Sequence, residues 1–262
     1  MVALKGVVFD VDGTLLSSAH QVSPRMREVC RYLVEHRIWL TIASARPPKS
    51  VLQIADVIGA TGPFCALNGA IIAASDGCLL SRSSLSRAVV AHLVRRFTGD
   101  SRINLNLYSG TEWFVPNLDR RIQEEASIVG FQPIILPDLS KVGEVEKILL
   151  MTDASLASFL VDDLVRTTGE MTVARSNPGY VEITPTGIAK MLGVETAAHS
   201  AGLSLAELVA CGDGENDITL LAQAGHGISM AHAPAGLKAV ASQIVGSNDD
   251  DTLPAALMAL FQ

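Results

Sequence analysis

The sequence lacks paired cysteines and long apolar runs. Its four cysteines stand far apart, at positions 30, 65, 78 and 211, so no CxxC zinc or redox pair exists. The apolar stretch Gly6-Val7-Val8-Phe9 is too brief for a signal peptide because Asp10 interrupts it. No run of about 18 apolar residues occurs elsewhere, which argues against a membrane span. These absences predict a soluble protein of the reducing cytoplasm.

The sequence also lacks an excess of positive charge. Lys and Arg number 20 against 27 Asp and Glu, a net charge of −7, so no basic field exists to attract nucleic acid or anionic membranes. Charged residues make up 18% and hydrophobic residues 48%, a composition that excludes a disordered chain. A chain of 262 residues is long enough for two modest domains or one large one.

Apolar strands and amphipathic helices alternate at both ends of the chain. This rhythm is typical of an α/β fold with a doubly wound, Rossmann-like parallel sheet. The expected strands are residues 4–9, 38–43, 205–211 and 227–230, and the expected helices begin at Pro24 or cover residues 47–58, 188–200, 215–223 and 253–260.

The middle of the chain has a different texture. It contains two pairs of alternating strand candidates, 103–107 with 113–115 and 171–174 with 180–183, and helices near 88–97 and 155–168. We therefore predict an α+β insertion over residues 84–186, which divides a core domain of residues 1–83 and 187–262.

Two acidic clusters follow buried strands. Asp10-Val11-Asp12-Gly13-Thr14 comes where the first strand ends, and Gly212 to Asp217 follows the strand that ends at Cys211. In open α/β sheets, ligands bind at the edge where the carboxyl ends of the strands lie. Neighbouring carboxylates repel unless a cation offsets their charge, and oxygen ligands without clustered His or Cys favour Mg²⁺ over zinc.

These motifs resemble the haloacid dehalogenase (HAD) superfamily phosphatases, specifically the Cof-like branch with a large type IIB cap. The resemblance spans the whole chain. It rests on DVDGT at 10–14, SAR at 44–46, LNGA at 67–70, GIAK at 187–190, GDGEND at 212–217 and SNDDD at 247–251.

The resemblance implies roles for the charged residues. Asp10 would be the nucleophile that forms an aspartyl-phosphate, and Asp12 the general acid and base. Asp10, Asp213 and the backbone carbonyl of Asp12 would ligate Mg²⁺, with Asp217 as an accessory carboxylate. Lys190 would pair with Asp10 and the phosphate.

Phosphate or substrate contacts are implied for a further set, namely Val11, Ser44, Ala45, Arg46, Asn68 and Asn216, together with Lys190. From the residues alone, Ser44 and Asn216 are equally typical of capping residues, Arg46 of a structural ion pair, and Asn68-Gly69 of a tight turn. Ala45 stands where the family more often has glycine.

Several other polar and aromatic residues are expected to have structural roles. Asp249, Asp250 and Asp251 are expected in a solvated turn that caps the last helix, with metal binding as the alternative. Tyr108, Trp113 and Tyr180 are expected to pack within the insertion. Contacts near His232 cannot be transferred, because the family commonly has Gly-Asn at positions 231–232.

The expected function is a Mg²⁺-dependent phosphatase for small phosphorylated metabolites, with sugar phosphates first by resemblance. The insertion would act as a cap that disfavours nucleic acid or protein substrates. A phosphomutase that shields the same intermediate from water, or a phosphate-binding regulator without turnover, are the alternatives. The sequence leaves the oligomeric state open.

Overall fold

Alternating strands and helices fill both ends of the chain. The structure, a computed structural model, describes residues 2–167 and 169–262. The strands are β1 (Gly6–Phe9), β2 (Trp39–Ile42), β3 (Phe64–Ala66), β4 (Ile71–Ala73), β5 (Leu79–Arg82), β6 (Asn104–Ser109), β7 (Glu112–Val115), β8 (Ile134–Ile135), β9 (Lys147–Met151), β10 (Met171–Asn177), β11 (Tyr180–Pro185), β12 (Leu208–Gly212), β13 (His226–Ser229) and β14 (Gln243–Ile244).

The helices lie between and after these strands. They are α1 (Pro24–Glu35), α2 (Pro48–Ile58), α3 (Arg87–Phe97), α4 (Arg120–Val129), α5 (Ala154–Thr167), α6 (Lys190–Ser200), α7 (Ile218–Gln223), α8 (Ala235–Val240) and α9 (Thr252–Phe261). Among the described residues, no helix combines the length and apolarity that crossing a bilayer requires.

The chain divides into two units. The first contains Met1–Arg46, Val51–Leu80 and Ala189–Gln262, and the second contains Pro47–Ser50 and Ser81–Ile188.

The first unit is built on a five-stranded parallel sheet with the order β14-β13-β12-β1-β2. Every residue of β1 and β12 is buried, as expected for strands covered on both faces. Val8 and Ala210 pack in one core cluster with residues of α6 and α7. Because side chains alternate along a strand, Val7 and Phe9 face the opposite side. The predicted α/β class is confirmed.

The register of this sheet brings three polar segments to one edge. Phe9 lies opposite both Ile42 and Cys211, so β1, β2 and β12 end at the same level. The Asp10 amide donates to the Cys211 carbonyl at 2.9 Å and extends the ladder by one residue. The acidic and hydroxyl residues that follow these strands therefore emerge together.

The second unit contains a six-stranded sheet with the order β10-β11-β9-β6-β7-β8. Its pairs are antiparallel except for β7 with β8. The pairs β6–β7 and β10–β11 correspond to the two strand pairs expected from the sequence. Side chains of α3 and α5 cover one face in a continuous apolar cluster. Tyr108 and Trp113 are buried, and their rings stack with centroids 5.9 Å apart.

A buried carboxylate links three segments of the second unit. Glu146 is fully buried, and its Oε1 accepts from Arg82 Nη2 at 2.7 Å and Ser84 Oγ at 2.8 Å. Its Oε2 accepts from the Gly110 amide at 2.7 Å. Since a buried charge is tolerated only when it is paired and hydrogen-bonded, these bonds fix the loops to β9.

We expect Glu146→Ala to lower the free energy of unfolding by about 3 kcal/mol, because it leaves several donors without their acceptor. The chain has two tryptophans, Trp39 in the first unit and Trp113 in the second. Urea unfolding of a Trp39→Phe background, followed by Trp113 fluorescence, therefore reports on the second unit.

The matched control is Glu144→Ala. Glu144 is an exposed carboxylate that pairs with the same arginine at 3.3 Å, and exposed pairs contribute about 1 kcal/mol or less. Equal losses for the two variants would contradict a structural role for Glu146.

Candidate active site

Three carboxylates from both ends of the chain meet at the edge of the parallel sheet. Asp10 follows β1, Asp213 follows β12, and Asp217 closes a 3-10 turn (Glu215–Asp217). One oxygen of each lies within 4.8 Å of the others. Asp10 and Asp217 are buried, and Asp213 is half-buried.

A buried lysine lies between two of these carboxylates. Lys190 begins α6 and is 2% exposed. Its Nζ donates to Asp10 Oδ1 at 2.5 Å and to Asp217 Oδ1 at 2.8 Å. The Gly214 amide donates to the other Asp217 oxygen at 3.0 Å. Asp217 therefore orients the lysine, and both of its oxygens are engaged.

The electrostatics of the cluster are unbalanced. Burial raises the pKa of Asp10 well above its ordinary value, the carboxylates of Asp217 and Asp213 add to the rise, and Lys190 opposes it. Burial and the Asp217 carboxylate likewise raise the pKa of Asp213. Burial alone would lower the pKa of Lys190, but Asp10 and Asp217 raise it above its ordinary value. One ammonium thus faces three carboxylates.

The residues present fit a hard divalent cation. The cluster offers oxygen ligands, and an added cation would offset the repulsion that raises the pKa of Asp10 and Asp213. Oxygen-only donor sets suit Mg²⁺ better than zinc. Asp10 and Asp213 are the ligand candidates, as the family resemblance implies, while the two oxygens of Asp217 accept from Lys190 and from the Gly214 amide.

Three neighbours fix the carboxylate of Asp213. Thr14 Oγ1 donates to Oδ1 at 3.2 Å, and His232 Nε2 lies 3.2 Å from Oδ2. Gly13 has φ +78°, and a Cβ there would collide with Asp213 Oδ2. Glycine is therefore required at position 13 for two reasons. It adopts the positive φ, and its lack of a side chain leaves room for the Asp213 carboxylate.

Asp12 pairs with Arg46. Arg46 Nη2 donates to Asp12 Oδ1 at 2.6 Å and Nε donates to Oδ2 at 2.8 Å. The arginine is 7% exposed, whereas the Asp12 side chain is 51% exposed. The Arg46 amide donates to Ser44 Oγ at 3.1 Å. Of the two interpretations left open for Arg46, the structure shows an ion pair.

The remaining predicted residues surround this edge of the first unit. Asn216 Nδ2 donates to Asn68 Oδ1 at 3.0 Å, which joins the two asparagines. Asn68 lies in the 3-10 turn Leu67–Gly69 between β3 and β4 with φ 58°, so it does form a tight turn. Ser44 and Ala45 follow β2, and the side chain of Val11 is buried in the core.

A glycine inside α6 lets the lysine-bearing helix approach the sheet. A Cβ at Gly193 would lie 2.5 Å from Cys65 Sγ and 3.2 Å from Gly69 Cα. Glycine in a helix interior costs about 1 kcal/mol relative to alanine. In return, the glycine allows α6 to pack closely on β3 and on the turn that carries Asn68.

Sequence reasoning missed several polar partners. The motif resemblance assigns no role to Thr14, and His232 lies where the family pattern differs, so their contacts with Asp213 could not be inferred. Asp249, Asp250 and Asp251 lie exposed in the turn before α9, as predicted, and Asp249 Oδ1 also accepts from the Ser18 amide at 2.7 Å. Asp250 Oδ1 accepts from the amide of Thr252, the first residue of α9, whereas Asp251 at the N-cap makes no side-chain capping bond.

Comparisons with known proteins agree with this architecture. The sequence model of a family of haloacid dehalogenase-like hydrolases matches residues 7–257. An HMP-PP phosphatase of Shigella flexneri is 29% identical over 236 residues, which cover 89% of this chain and 86% of that protein.

Solved structures give the same result. A haloacid dehalogenase-like hydrolase from Bacteroides thetaiotaomicron has a TM-score of 0.89 at 29% identity, with 98% of this chain and 100% of that chain covered. A HAD subclass IIB sugar phosphatase has a TM-score of 0.84 at 19% identity, with 98% and 99% covered, and shares the fold.

We expect Asp213→Asn to stabilise the metal-free protein at neutral pH. A carboxyl whose pKa is raised in the folded state favours folding when protonated, and this contribution is lost as the pH rises through the folded pKa. In EDTA at pH 7.5 the variant should melt about 2–4 °C above the wild type, for about 1 kcal/mol of relieved repulsion. Near pH 4 the difference should shrink.

Added Mg²⁺ should raise the Tm of the wild type and have less effect on Asp213→Asn, since ligands stabilise the state that binds them. Glu215→Gln is the control, because it removes one exposed charge from the same segment outside the cluster. An equal Mg²⁺ effect on Asp213→Asn and the wild type would contradict the assigned ligand.

Proposed function

The chain belongs to the haloacid dehalogenase-like hydrolases and is a phosphatase of that family, and we propose that it hydrolyses small phosphate monoesters through a phosphoryl group on Asp10. The observation that carries this proposal is the contact of Lys190 with both Asp10 and Asp217 beside Asp213. This contact supports the proposal, because it brings together the carboxylate of the proposed nucleophile, an ammonium and a further carboxylate that suits a cation.

The first step transfers the phosphoryl group to the protein. A carboxylate oxygen of Asp10 attacks phosphorus, and the bond between phosphorus and the leaving oxygen breaks. Asp12 gives its proton to that oxygen, which departs as an alcohol. Lys190 contacts Asp10 and stabilises the negative charge of the transferring phosphoryl oxygens.

The second step restores the enzyme. Asp12, now without its proton, removes a proton from water, and the water oxygen attacks phosphorus. The bond between phosphorus and the Asp10 oxygen breaks and releases inorganic phosphate. Arg46 holds the Asp12 carboxylate in one orientation through two parallel hydrogen bonds, here called the Arg46 fork. One of these bonds opens when Asp12 carries the proton.

A bound Mg²⁺, held by Asp10 and Asp213, would neutralise charge between the substrate phosphate and the nucleophile. Thr14 and His232 would orient Asp213 for this task, as outer partners of metal ligands commonly do.

We propose small phosphorylated metabolites as substrates, with sugar phosphates first, and the insertion of residues 84–186 as the cap that selects among them. The sugar-phosphatase likeness is one of fold, and the Shigella flexneri relative carries the name HMP-PP phosphatase, so both classes belong in a test panel. The panel should also include pyridoxal phosphate, flavin mononucleotide and nucleotides.

The deciding experiment measures phosphate release from this panel with Mg²⁺ and with EDTA. We expect turnover of at least one ester with Mg²⁺, and a loss of about 10³-fold or more for Asp10→Asn, because the variant lacks the nucleophile. Acid-quenched wild-type enzyme should carry a phosphoryl group on the peptide that contains Asp10, as detected by mass spectrometry.

Asp251→Asn is the matched control, because it removes an exposed carboxylate outside the site. Phosphate release by Asp10→Asn at the wild-type rate would refute the mechanism. Transfer of labelled phosphate between sugar hydroxyls without release would identify a phosphomutase, and tight binding without any release would identify a regulator.

The Arg46 fork generates a separate prediction. Arg46→Lys keeps the charge but loses the bidentate geometry, so kcat should fall about tenfold while KM changes little. A rise of about tenfold in KM, with kcat unchanged, would instead show that Arg46 binds substrate. Steady-state kinetics on the best ester of the panel distinguish these outcomes.

A further inference from the structure

We propose that the loop from Ser247 to Thr252, near the C-terminus, is a positioning element that holds the turn carrying Asp12. The inference rests on the proposed function, in which Asp12 is the proton donor. It concerns Asn248 and Asp249, which lie far from Asp12 in the sequence.

The loop grips the segment that follows the first acidic motif by two hydrogen bonds. Asn248 Nδ2 donates to the Leu16 carbonyl at 2.8 Å. The Ser18 amide donates to Asp249 Oδ1 at 2.7 Å. Asn248 thus binds a backbone carbonyl, and Asp249 binds the backbone amide of the neighbouring peptide group. Together the two bonds fix both the position and the direction of that backbone.

Leu16 connects this grip to Asp12. The Leu16 amide donates to the Val11 carbonyl at 2.9 Å and closes the turn that contains Asp12, while Leu16 and Asp12 form a β-bridge. The Leu16 side chain is buried, so the residue is anchored on its apolar side as well. A shift of Leu16 would therefore move the backbone of Asp12.

The loop is itself braced by Asp250. The amides of Ser247 and Thr252 donate to the Asp250 carboxylate at 2.8 and 2.9 Å, and the Thr252 hydroxyl donates to it as well. The Asp249 amide donates to Ser247 Oγ at 3.1 Å. These internal hydrogen bonds make the loop rigid, so it can hold the segment around Leu16 in a fixed position.

The three consecutive aspartates therefore have different environments. Asp249 accepts from the Ser18 amide, Asp250 closes the loop, and Asp251 makes no side-chain capping bond to α9. Among the described residues, the carboxylates that could share a metal ion are Asp10, Asp213 and Asp217. Asp249 does not belong to this cluster. This contrast favours positioning over metal binding, and it supplies a control within the same loop.

The leaving group of the substrate provides a readout that a merely structural role would not give. An alkyl alcohol is a poor leaving group and needs the proton of Asp12, whereas p-nitrophenolate leaves with little help. The ratio kcat/KM covers the steps up to formation of the phosphoenzyme, so it isolates the step in which Asp12 acts as an acid. Misplacement of Asp12 should therefore lower this ratio more for alkyl esters.

The experiment compares Asn248→Ala, Asp249→Ala, Asp251→Ala and Asp12→Ala on two esters, p-nitrophenyl phosphate and the best alkyl phosphate of the panel. For the first two variants we expect kcat/KM to fall about tenfold on the alkyl ester and less than about threefold on p-nitrophenyl phosphate. Asp12→Ala should show the same preference with a larger loss, and Asp251→Ala should match the wild type. Asp249→Asn, which keeps an acceptor oxygen, should recover most of the activity.

Hydrogen exchange provides a measurement that does not depend on turnover. The amides of the peptide containing Leu16 and Ser18 should exchange faster in Asn248→Ala and Asp249→Ala than in Asp251→Ala. Unchanged exchange, or equal losses on the two esters, would overturn the positioning role alone. If Asp12→Ala itself showed no preference between the esters, the acid role of Asp12 would fail, and the positioning proposal with it.

Discussion

The contact between a buried lysine and two carboxylates is the constraint on which the first unit depends. Lys190 comes from the start of α6, Asp10 from the end of β1, and Asp217 from the turn after β12. An ammonium at 2% exposure is stable only where anions surround it, and the three carboxylates are tolerable only where cations do. The two requirements are met together by bringing both ends of the chain to the same sheet edge.

Much of this arrangement could be predicted from the sequence. Parallel strands end at a common edge, so the acidic segments after residues 9 and 212 had to emerge near each other once the α/β pattern was recognised. The family resemblance, which the comparisons confirm, added Lys190, whose place at the start of a helix has no chemical meaning by itself. The α/β class was also predictable, because fully apolar strands such as β1 occur at the centre of parallel sheets.

Other features depend on partners that are distant in the sequence. The choice of Arg46 as the partner of Asp12, and of Ser18 as the partner of Asp249, involves residues 34 and 231 positions apart, which no local pattern records. Asn68 shows that two interpretations of one motif can both hold, since it forms a tight turn and also contacts Asn216. The strand β9 was not predicted, because periodicity alone does not distinguish a short, fully buried strand from a segment of a buried helix.

Gly193 has a consequence for protein engineering. Replacing glycines in helix interiors by alanine is a routine way to raise thermostability, because it removes about 1 kcal/mol of unfavourable backbone entropy. At this position the added methyl group would meet the Cys65 sulfur and lift the helix that begins at Lys190. A stabilisation library guided by helix propensity alone would displace the helix that carries Lys190, so position 193 should be kept constant in any such design.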